Sequence, residues 1–240
     1  MPSAAEQLAA VLSKVARPGD FFASGMAELL APRLEVEGIG PIALPLLPMQ
    51  AEQLIAAAER APYGRGPDTL VDIEVRRTWQ IDAKRVRVEG KHWARFMEGI
   101  LARVAEGLGL TDTISAELYK LLIYDRGSFF VSHRDTEKLT GMFATLVIVL
   151  PSISTGGALV LRHKEREVRL DLRCEDPSEA AFAAFYADCL HEVLPVSEGY
   201  RLTLVYNLVR RQRGAPPRPP DYEKEQARAT AILKAWAAEK

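Results

Sequence analysis

The sequence of 240 residues has few cysteines and no surplus of charge of either sign. Cys174 and Cys189 are its two cysteines. Two thiols are too few for a disulfide framework or a zinc site of four thiolates, so we predict a reducing, cytoplasmic setting. Lysine and arginine total 31 against 32 acidic residues, a net charge of −1. This balance leaves no overall field that would attract nucleic acid or an anionic membrane.

The chain also has no long apolar run, no internal repeat and no export signal that we recognise. Its first twenty residues lack a basic segment followed by a purely apolar one, and they fit an amphipathic helix better than a cleaved leader. The apolar fraction of 48% and the charged fraction of 26% are those of an ordinary globular protein, which excludes disordered, fibrous and membrane-spanning classes.

Helical patterns dominate the first part of the chain, and strand patterns follow. Apolar residues recur at helical spacing in four segments, about residues 8–15, 50–60, 93–108 and 221–240, and residues 71–80 are expected to be extended. Short β-branched and aromatic runs predict strands at about residues 116–124, 129–133, 142–150, 158–161, 167–172, 180–191 and 201–209. Helices followed by strands indicate an α+β fold whose antiparallel sheet closes into a sandwich or barrel.

We divide the chain into three parts on this basis. Residues 1–110 are predicted to be a mainly helical support integrated with the core, and residues 111–210 form the β core. Residues 211–240 are a basic, proline-rich linker and a C-terminal helix, which could lead to a further domain.

The last predicted strand has two different faces. Arg201 and Thr203 share one face, and leucines occupy the other, which the early helices are expected to cover. The arginine would then point into the interior, where an unpaired charge is costly. We expect an anionic partner, either a ligand or an internal ion pair with Glu192 or Glu198.

Three residues have the composition of a metal site. His133 and Asp135 lie two apart in an extended segment and therefore on one face, which alone is a weak signal. His191 follows 58 residues after His133. Two histidines and one carboxylate form the triad that holds non-heme Fe(II) and leaves three coordination positions open. Arg201, ten residues beyond His191, suits the far carboxylate of a dicarboxylate that chelates the metal.

These motifs in this order resemble a known family. The segment Tyr124 to Asp135 (YDRGSFFVSHRD) is followed by Gly156-Gly157, by His191 and by Arg201-Leu-Thr203. Over roughly residues 116–209 the chain resembles the Fe(II)- and 2-oxoglutarate-dependent oxygenases, closest to the prolyl-4-hydroxylase-like branch. The resemblance implies a double-stranded β-helix (jelly roll) with N-terminal supporting helices packed on its major sheet.

The resemblance also implies roles for individual residues. The catalytic metal ligands would be His133, Asp135 and His191, with Fe(II) as the metal. The co-substrates would be 2-oxoglutarate and O₂, with ascorbate as a candidate reductant. Residues expected to bind 2-oxoglutarate are Arg201 at its distal carboxylate, Tyr124 and Thr203 as hydrogen-bond donors, and Thr145 as a weaker candidate. For Tyr124, simple packing stays an alternative.

The implied activity is hydroxylation of a protein or peptide side chain with release of succinate and CO₂. Nucleic acid is disfavoured as substrate, because the related demethylases have a second arginine where this chain has Asn207. Substrate selection is expected from the loops at residues 61–69, 72–84 and 136–141. We favour packing and surface roles for Arg76, Arg77 and Trp79, with the mouth of the site as the alternative.

Three other functions remain open. One is a 2-oxoglutarate oxygenase acting on a small molecule. Another is a non-oxidative, cupin-like metal enzyme, in which Arg201 and Thr203 would have no dicarboxylate to bind. The third is a binding module that retains a relic metal site.

Overall fold

The computed structural model describes residues 2–15, 19–65, 68–137, 139–174, 176–210 and 217–238. The helices are α1 (Ala4–Leu12), α2 (Pro48–Ala57), α3 (Trp93–Gly107) and α4 (Glu223–Ala238), with a 3-10 turn at Ala83–Arg85. The strands are β1 (Phe22–Glu28), β2 (Arg33–Val36), β3 (Gly40–Ile42), β4 (Glu59–Arg60), β5 (Tyr63–Arg65), β6 (Asp68–Leu70), β7 (Arg76–Arg77), β8 (Trp79–Asp82), β9 (Val86–Glu89), β10 (Ile114–Tyr124), β11 (Phe129–His133), β12 (Met142–Leu150), β13 (Ser154–Gly156), β14 (Leu159–His163), β15 (Arg166–Leu170), β16 (Glu179–Tyr186), β17 (Leu190–Val193), β18 (Val196–Gly199) and β19 (Arg201–Arg210).

Two antiparallel sheets make up the β core. The major sheet has the order β1-β16-β12-β19-β10-β8-β4, and the minor sheet has the order β15-β14-β17-β11-β7. From β10 onwards the chain passes repeatedly between the two sheets, which is the winding of a double-stranded β-helix. The predicted α+β jelly roll is confirmed.

The segment predicted as one strand over residues 180–191 is two strands in different sheets. β16 lies in the major sheet, and β17 lies in the minor sheet. The turn around Asp188 carries the chain from one sheet to the other. The apolar pattern did not reveal this turn, because Cys189 and Leu190 continue the run of buried or partly buried residues through it.

The N-terminal part contains more strand than its helical pattern predicts. Nine strands, β1–β9, lie within residues 22–89 beside the helices. β1 extends the major sheet by pairing with β16 from Phe22↔Phe185 to Glu28↔Glu179. Its sequence, FASGMAE, is rich in small residues without apolar alternation, so the usual strand signal is weak.

The helices differ in how they support the sheet. α3 packs on β1 and β10 and buries Ile100 and Val104, and α2 contacts β10 and buries Leu54. α1 does not pack on the major sheet: it has no buried residue and contacts α4. The alanine-rich face of α1 offers little apolar area to bury, which corrects the expectation for this helix.

Strand β19 shows how the core is divided. Leu202, Leu204 and Leu208 are fully buried in the large core between the major sheet and the helices. Val205 and Asn207 point to the opposite side and line a cavity between the two sheets. The predicted two-faced strand therefore separates the supporting core from the site. No helix in the described ranges is long and apolar enough to cross a membrane.

Candidate metal centre and co-substrate pocket

The structure brings His133, Asp135 and His191 together at one end of the jelly roll. His133 ends β11 and is the cross-strand partner of His191 on β17, and Asp135 follows two residues beyond the end of β11. One ligand atom from each residue lies within 4.8 Å of the others. Oδ1 of Asp135 is 3.9 Å from Nε2 of His133 and 3.7 Å from Nε2 of His191.

Backbone carbonyls orient both imidazole rings. Nδ1 of His133 is 2.9 Å from the carbonyl oxygen of Val131, and Nδ1 of His191 is 3.2 Å from that of Cys189. Because a carbonyl oxygen only accepts hydrogen bonds, each Nδ1 must carry the proton. In the neutral tautomer, Nε2 then has a free lone pair directed towards Asp135, as metal-binding histidines require.

Aromatic rings from both sheets pack against the two histidines. The Phe130 ring stacks on His133 with 3.5 Å between ring centroids, and the Phe185 ring lies 4.5 Å from His191. These contacts restrict the rotamers of the imidazoles and keep their Nε2 atoms in place.

The third ligand candidate is oriented from the major sheet. The hydroxyl of Thr145, on β12, donates a hydrogen bond of 2.5 Å to Oδ2 of Asp135. The other carboxylate oxygen faces the two imidazoles. Thr145 was predicted to lie in the co-substrate pocket, and it does line that cavity, but its hydroxyl hydrogen is used by Asp135.

The protonation of the site suits a divalent cation. Burial and the adjacent His191 lower the pKa of His133 to about 3, so this imidazole is neutral at pH 7. Burial would raise the pKa of Asp135, but His191 and the hydrogen bond from Thr145 more than compensate and lower it below its ordinary value. Imidazole nitrogens with one carboxylate are a donor set for Fe(II), and the residues therefore fit the metal.

A cavity extends from this cluster into the interior between the sheets. Its wall includes Leu122, Tyr124, Val147 and Val205. Burial raises the pKa of Tyr124, which keeps its hydroxyl protonated and able to donate a hydrogen bond. This arrangement agrees with the predicted role of Tyr124, which stays a prediction.

Arg201 is buried beside Tyr124, its cross-strand partner. Its guanidinium donates hydrogen bonds to the carbonyl oxygens of Gly157 and, over 2.7 Å, Gly156. The alternative ion pair with Glu192 or Glu198 does not occur among the described ion pairs, and Glu192 instead contacts Arg162.

Two buried hydrogen-bond donors on β19 have no partner among the described residues. They are Nε of Arg201 and the hydroxyl of Thr203. Leaving such groups unsatisfied is costly, and an anionic ligand end would satisfy both. These donors suit the distal carboxylate of 2-oxoglutarate in chemistry, although neither Arg201 nor Thr203 is part of the cavity wall.

Gly157 permits the close approach of Arg201. Its φ is +66°, and a Cβ atom there would lie 2.8 Å from Nη1 of Arg201. Any larger residue would combine backbone strain with displacement of the guanidinium. The Gly156-Gly157 motif therefore determines where Arg201 lies.

Polar residues at the mouth of the cavity were not assigned to the site from the sequence. Arg76 packs on Phe130 and also lines the cavity, so the packing role that we favoured and its alternative at the site occur together, and Lys120 and Asn207 line the cavity as well. A lysine inside the apolar run KLLIY is the signal that could have revealed Lys120. Arg76 had no comparable signal. The adjacent Arg77 is the same type of residue, and it is not part of the wall.

The three segments expected to select substrate line a second cavity that adjoins the first. Its walls include Pro62 and Tyr63 from the first segment, Val75 and Arg76 from the second, and Thr136 from the third. Loops were expected at residues 61–69 and 72–84, but strands β5 to β8 lie largely within them. The two cavities share seven lining residues, which include Arg76, Asp135 and Thr136.

The β core of the chain is similar to a family of known proteins. Residues 119–209, which contain the metal cluster, Tyr124 and Arg201, match the family described as the 2OG-Fe(II) oxygenase superfamily. This match confirms the resemblance over that segment, and proteins of that superfamily are oxidoreductases that use Fe(II) and 2-oxoglutarate. No curated protein matches the chain.

Several solved structures match the chain at low sequence identity. A prolyl-4-hydroxylase from Pseudomonas putida is 17% identical, with 86% of this chain and 100% of that chain covered and a TM-score of 0.45. A 2OG-Fe(II) oxygenase family oxidoreductase from Burkholderia pseudomallei is 18% identical, with coverages of 90% and 95% and a TM-score of 0.44. A prolyl hydroxylase from Trichoplax adhaerens, in complex with a hypoxia inducible factor peptide fragment, is 14% identical, with coverages of 84% and 88% and a TM-score of 0.46.

Proposed function

We propose that this protein is a Fe(II)- and 2-oxoglutarate-dependent dioxygenase that hydroxylates a protein or peptide side chain, with release of succinate and CO₂. The supporting observation is the convergence of His133, Asp135 and His191 at the end of a cavity between the two sheets. The superfamily match supports the reaction class, and the choice of substrate rests on the residues around the entrance.

The proposed metal ligands are Nε2 of His133, Nε2 of His191 and Oδ1 of Asp135. Three protein ligands leave three positions for co-substrates on an octahedral ion. Bound Fe(II) and 2-oxoglutarate supply the oxidising chemistry. The protein holds the ligands through the carbonyls of Val131 and Cys189 and through Thr145.

The proposed anchor for 2-oxoglutarate is the group of Arg201, Thr203 and Tyr124. The glycine carbonyls fix the guanidinium of Arg201, and Nε of Arg201 and the hydroxyl of Thr203 supply unsatisfied donors. A guanidinium that is already immobilised loses little further conformational entropy when it binds a carboxylate.

Apolar side chains form most of the remaining wall around the metal cluster. Leu122, Val147, Leu159 and Val205 line the cavity. They exclude water, which strengthens electrostatic contacts to bound co-substrate and protects the reaction from side processes.

The entrance supports a peptide or protein substrate. The outer cavity is lined by the three segments expected to select substrate and by β10 and β11, and the edge strand of the minor sheet, β7, contributes Arg76 to its wall. Backbone groups at a sheet edge can pair with an extended peptide. A peptide docked there would place a side chain towards the inner cavity, because Arg76 on β7 lines both cavities.

Succinate formation and mass spectrometry test the proposal together. The protein is incubated aerobically with Fe(II), 2-oxoglutarate, ascorbate and peptides from a cell lysate. We expect succinate release and peptides that gain the mass of one oxygen atom. Both products should disappear in His133→Ala and Asp135→Ala, whereas His92→Ala, at the start of α3 and outside the cavity wall, serves as the matched control.

Two results would contradict the proposal in different ways. Activity near that of the natural sequence in His133→Ala or Asp135→Ala would exclude the ligand assignment. Succinate release coupled only to small molecules, with no oxidised peptide, would retain the reaction class and exclude the peptide substrate.

A further inference from the structure

Arg76 is a buried cation at the junction of the two cavities. Its residue exposure is 7%, and no described carboxylate lies within ion-pair distance of its guanidinium. Nη1 donates to the carbonyl of Pro62 over 2.8 Å, and the guanidinium lies 4.3 Å from the Phe130 ring centroid. Nε is buried and has no hydrogen-bond partner among the described residues.

Such an arrangement is unfavourable unless something binds there. Burial lowers the pKa of Arg76, but a guanidinium remains charged in proteins. A buried charge without an ionic partner costs several kcal/mol. The ring of Phe130 offsets only part of that cost. Buried charges that face a cavity are therefore candidates for ligand contact.

The charges of the loaded site do not neutralise Arg76. The charges of Fe(II), Asp135, 2-oxoglutarate as a dianion and Arg201 cancel one another. Arg76 then remains in the cavity wall as a positive charge that has no ion pair among the described residues. Nζ of Lys120 donates to the neutral amide oxygen of Gln80 over 2.9 Å and lies 4.2 Å from the Tyr119 ring centroid.

We infer that Arg76 binds a carboxylate of the primary substrate. The inference rests on the proposed function, and it names the substrate class of the same site. A guanidinium matches a carboxylate in shape and charge, and Nε is one of the donors that a bidentate contact uses. The carboxylate could belong to an acidic side chain of a peptide or to a small organic acid.

The position of Arg76 suits a substrate anchor near the reaction centre. The guanidinium packs on Phe130, and Phe130 stacks on His133, so one ring separates the anion subsite from a metal ligand. A carboxylate held there fixes the neighbouring carbon atoms of the substrate at the entrance to the metal cluster.

The test compares matched acids and amides on the loaded protein. The protein is loaded anaerobically with Fe(II) and 2-oxoglutarate, and calorimetry measures binding of two probe pairs. One pair is short peptides containing Glu or Gln, and the other is small organic acids and their primary amides. The test variant is Arg76→Gln. The control is Arg77→Gln, which removes the charge of the adjacent residue that does not line the cavity.

We expect the natural sequence to bind the acid of at least one pair about tenfold or more tightly than its amide, the size of one charge-assisted contact. Arg76→Gln should abolish this preference and leave 2-oxoglutarate affinity within about twofold, whereas Arg77→Gln should retain the preference. If Arg76→Gln does not fold, Arg76→Lys keeps the charge and should retain part of the preference. The probe pair that shows the preference for the acid identifies whether the substrate is a peptide or a small organic acid.

Three outcomes overturn the inference. The acids and amides could bind the natural sequence equally, Arg76→Gln could retain the preference, or Arg76→Gln could weaken 2-oxoglutarate as much as Arg201→Gln does. In the last case Arg76 serves the co-substrate. Failure of the proposed function has a different signature, because the natural sequence would then not bind Fe(II) and 2-oxoglutarate at all, and both proposals would be refuted.

Discussion

The hydroxyl of Thr145 donates a hydrogen bond of 2.5 Å to Oδ2 of Asp135. Thr145 lies on β12 in the major sheet, and Asp135 follows β11 of the minor sheet. The contact therefore links the two sheets at the metal cluster. It leaves Oδ1 directed at the two imidazoles, so the spacing of the sheets determines the position of the carboxylate ligand.

Replacing Thr145 tests this positioning role. Thr145→Val keeps the shape of the side chain and removes the hydrogen bond that lowers the pKa of Asp135. We expect Fe(II) affinity to fall by about tenfold or more, as when other groups that orient metal ligands are removed. Calorimetric titration under anaerobic conditions measures the change. Thr145→Ser retains the hydroxyl and should bind metal nearly as the natural sequence does; equal affinity in all three proteins would refute the role.

Gly157 offers a separate test of the Arg201 position. Gly157→Ala places a methyl group against the guanidinium, so 2-oxoglutarate affinity should fall about tenfold or more while Fe(II) affinity stays unchanged. The control is Gly40→Ala, which has a φ of +95° and no atom within 4 Å of the added carbon. In this control the alanine also adopts a positive φ, but its Cβ atom displaces no neighbouring group. If both variants bind 2-oxoglutarate like the natural sequence, the guanidinium does not contact it.

The histidine cluster predicts a pH dependence of folding in the metal-free protein. His133 has a pKa of about 3 in the folded protein against 6.5 ordinarily, so the unfolded chain binds the proton more readily between these values. Stability should therefore decrease as the pH falls from about 7 towards 4. The lowered pKa of Asp135 acts in the same direction at still lower pH.

Urea unfolding at several pH values measures this dependence. The slope of unfolding free energy against pH should be smaller in His133→Gln, because that variant has no proton to take up at this position. A stability that rises on acidification, or a slope unchanged in His133→Gln, would contradict the assignment of a neutral, buried imidazole.

The sequence predicted the core strands and the metal cluster for physical reasons. β11, β12 and β19 have apolar or alternating patterns with clear turn residues, and their bounds lie within a residue of the predicted ones. A histidine and an aspartate at strand spacing share a face wherever the strand lies. The third ligand, His191, could be proposed because two histidines and one carboxylate form a donor set for Fe(II), and the resemblance implied the same three residues.

Long-range pairing accounts for what the sequence did not predict. β1 pairs with β16, whose sequence lies more than 150 residues away, and its own pattern is weak. Arg76 lines the cavity only because β7 pairs with β11 at the edge of the minor sheet, with Arg76 opposite Phe130. Two adjacent arginines give no local signal for which one points inward.

Anaerobic titration with Fe(II) and then 2-oxoglutarate measures the central claim most directly. The account predicts a visible charge-transfer band that appears only when both are present and saturates at one equivalent of each. The band should be lost in Asp135→Ala and require more 2-oxoglutarate in Arg201→Ala. No band with the natural sequence, or an undiminished band in Asp135→Ala, would contradict the account.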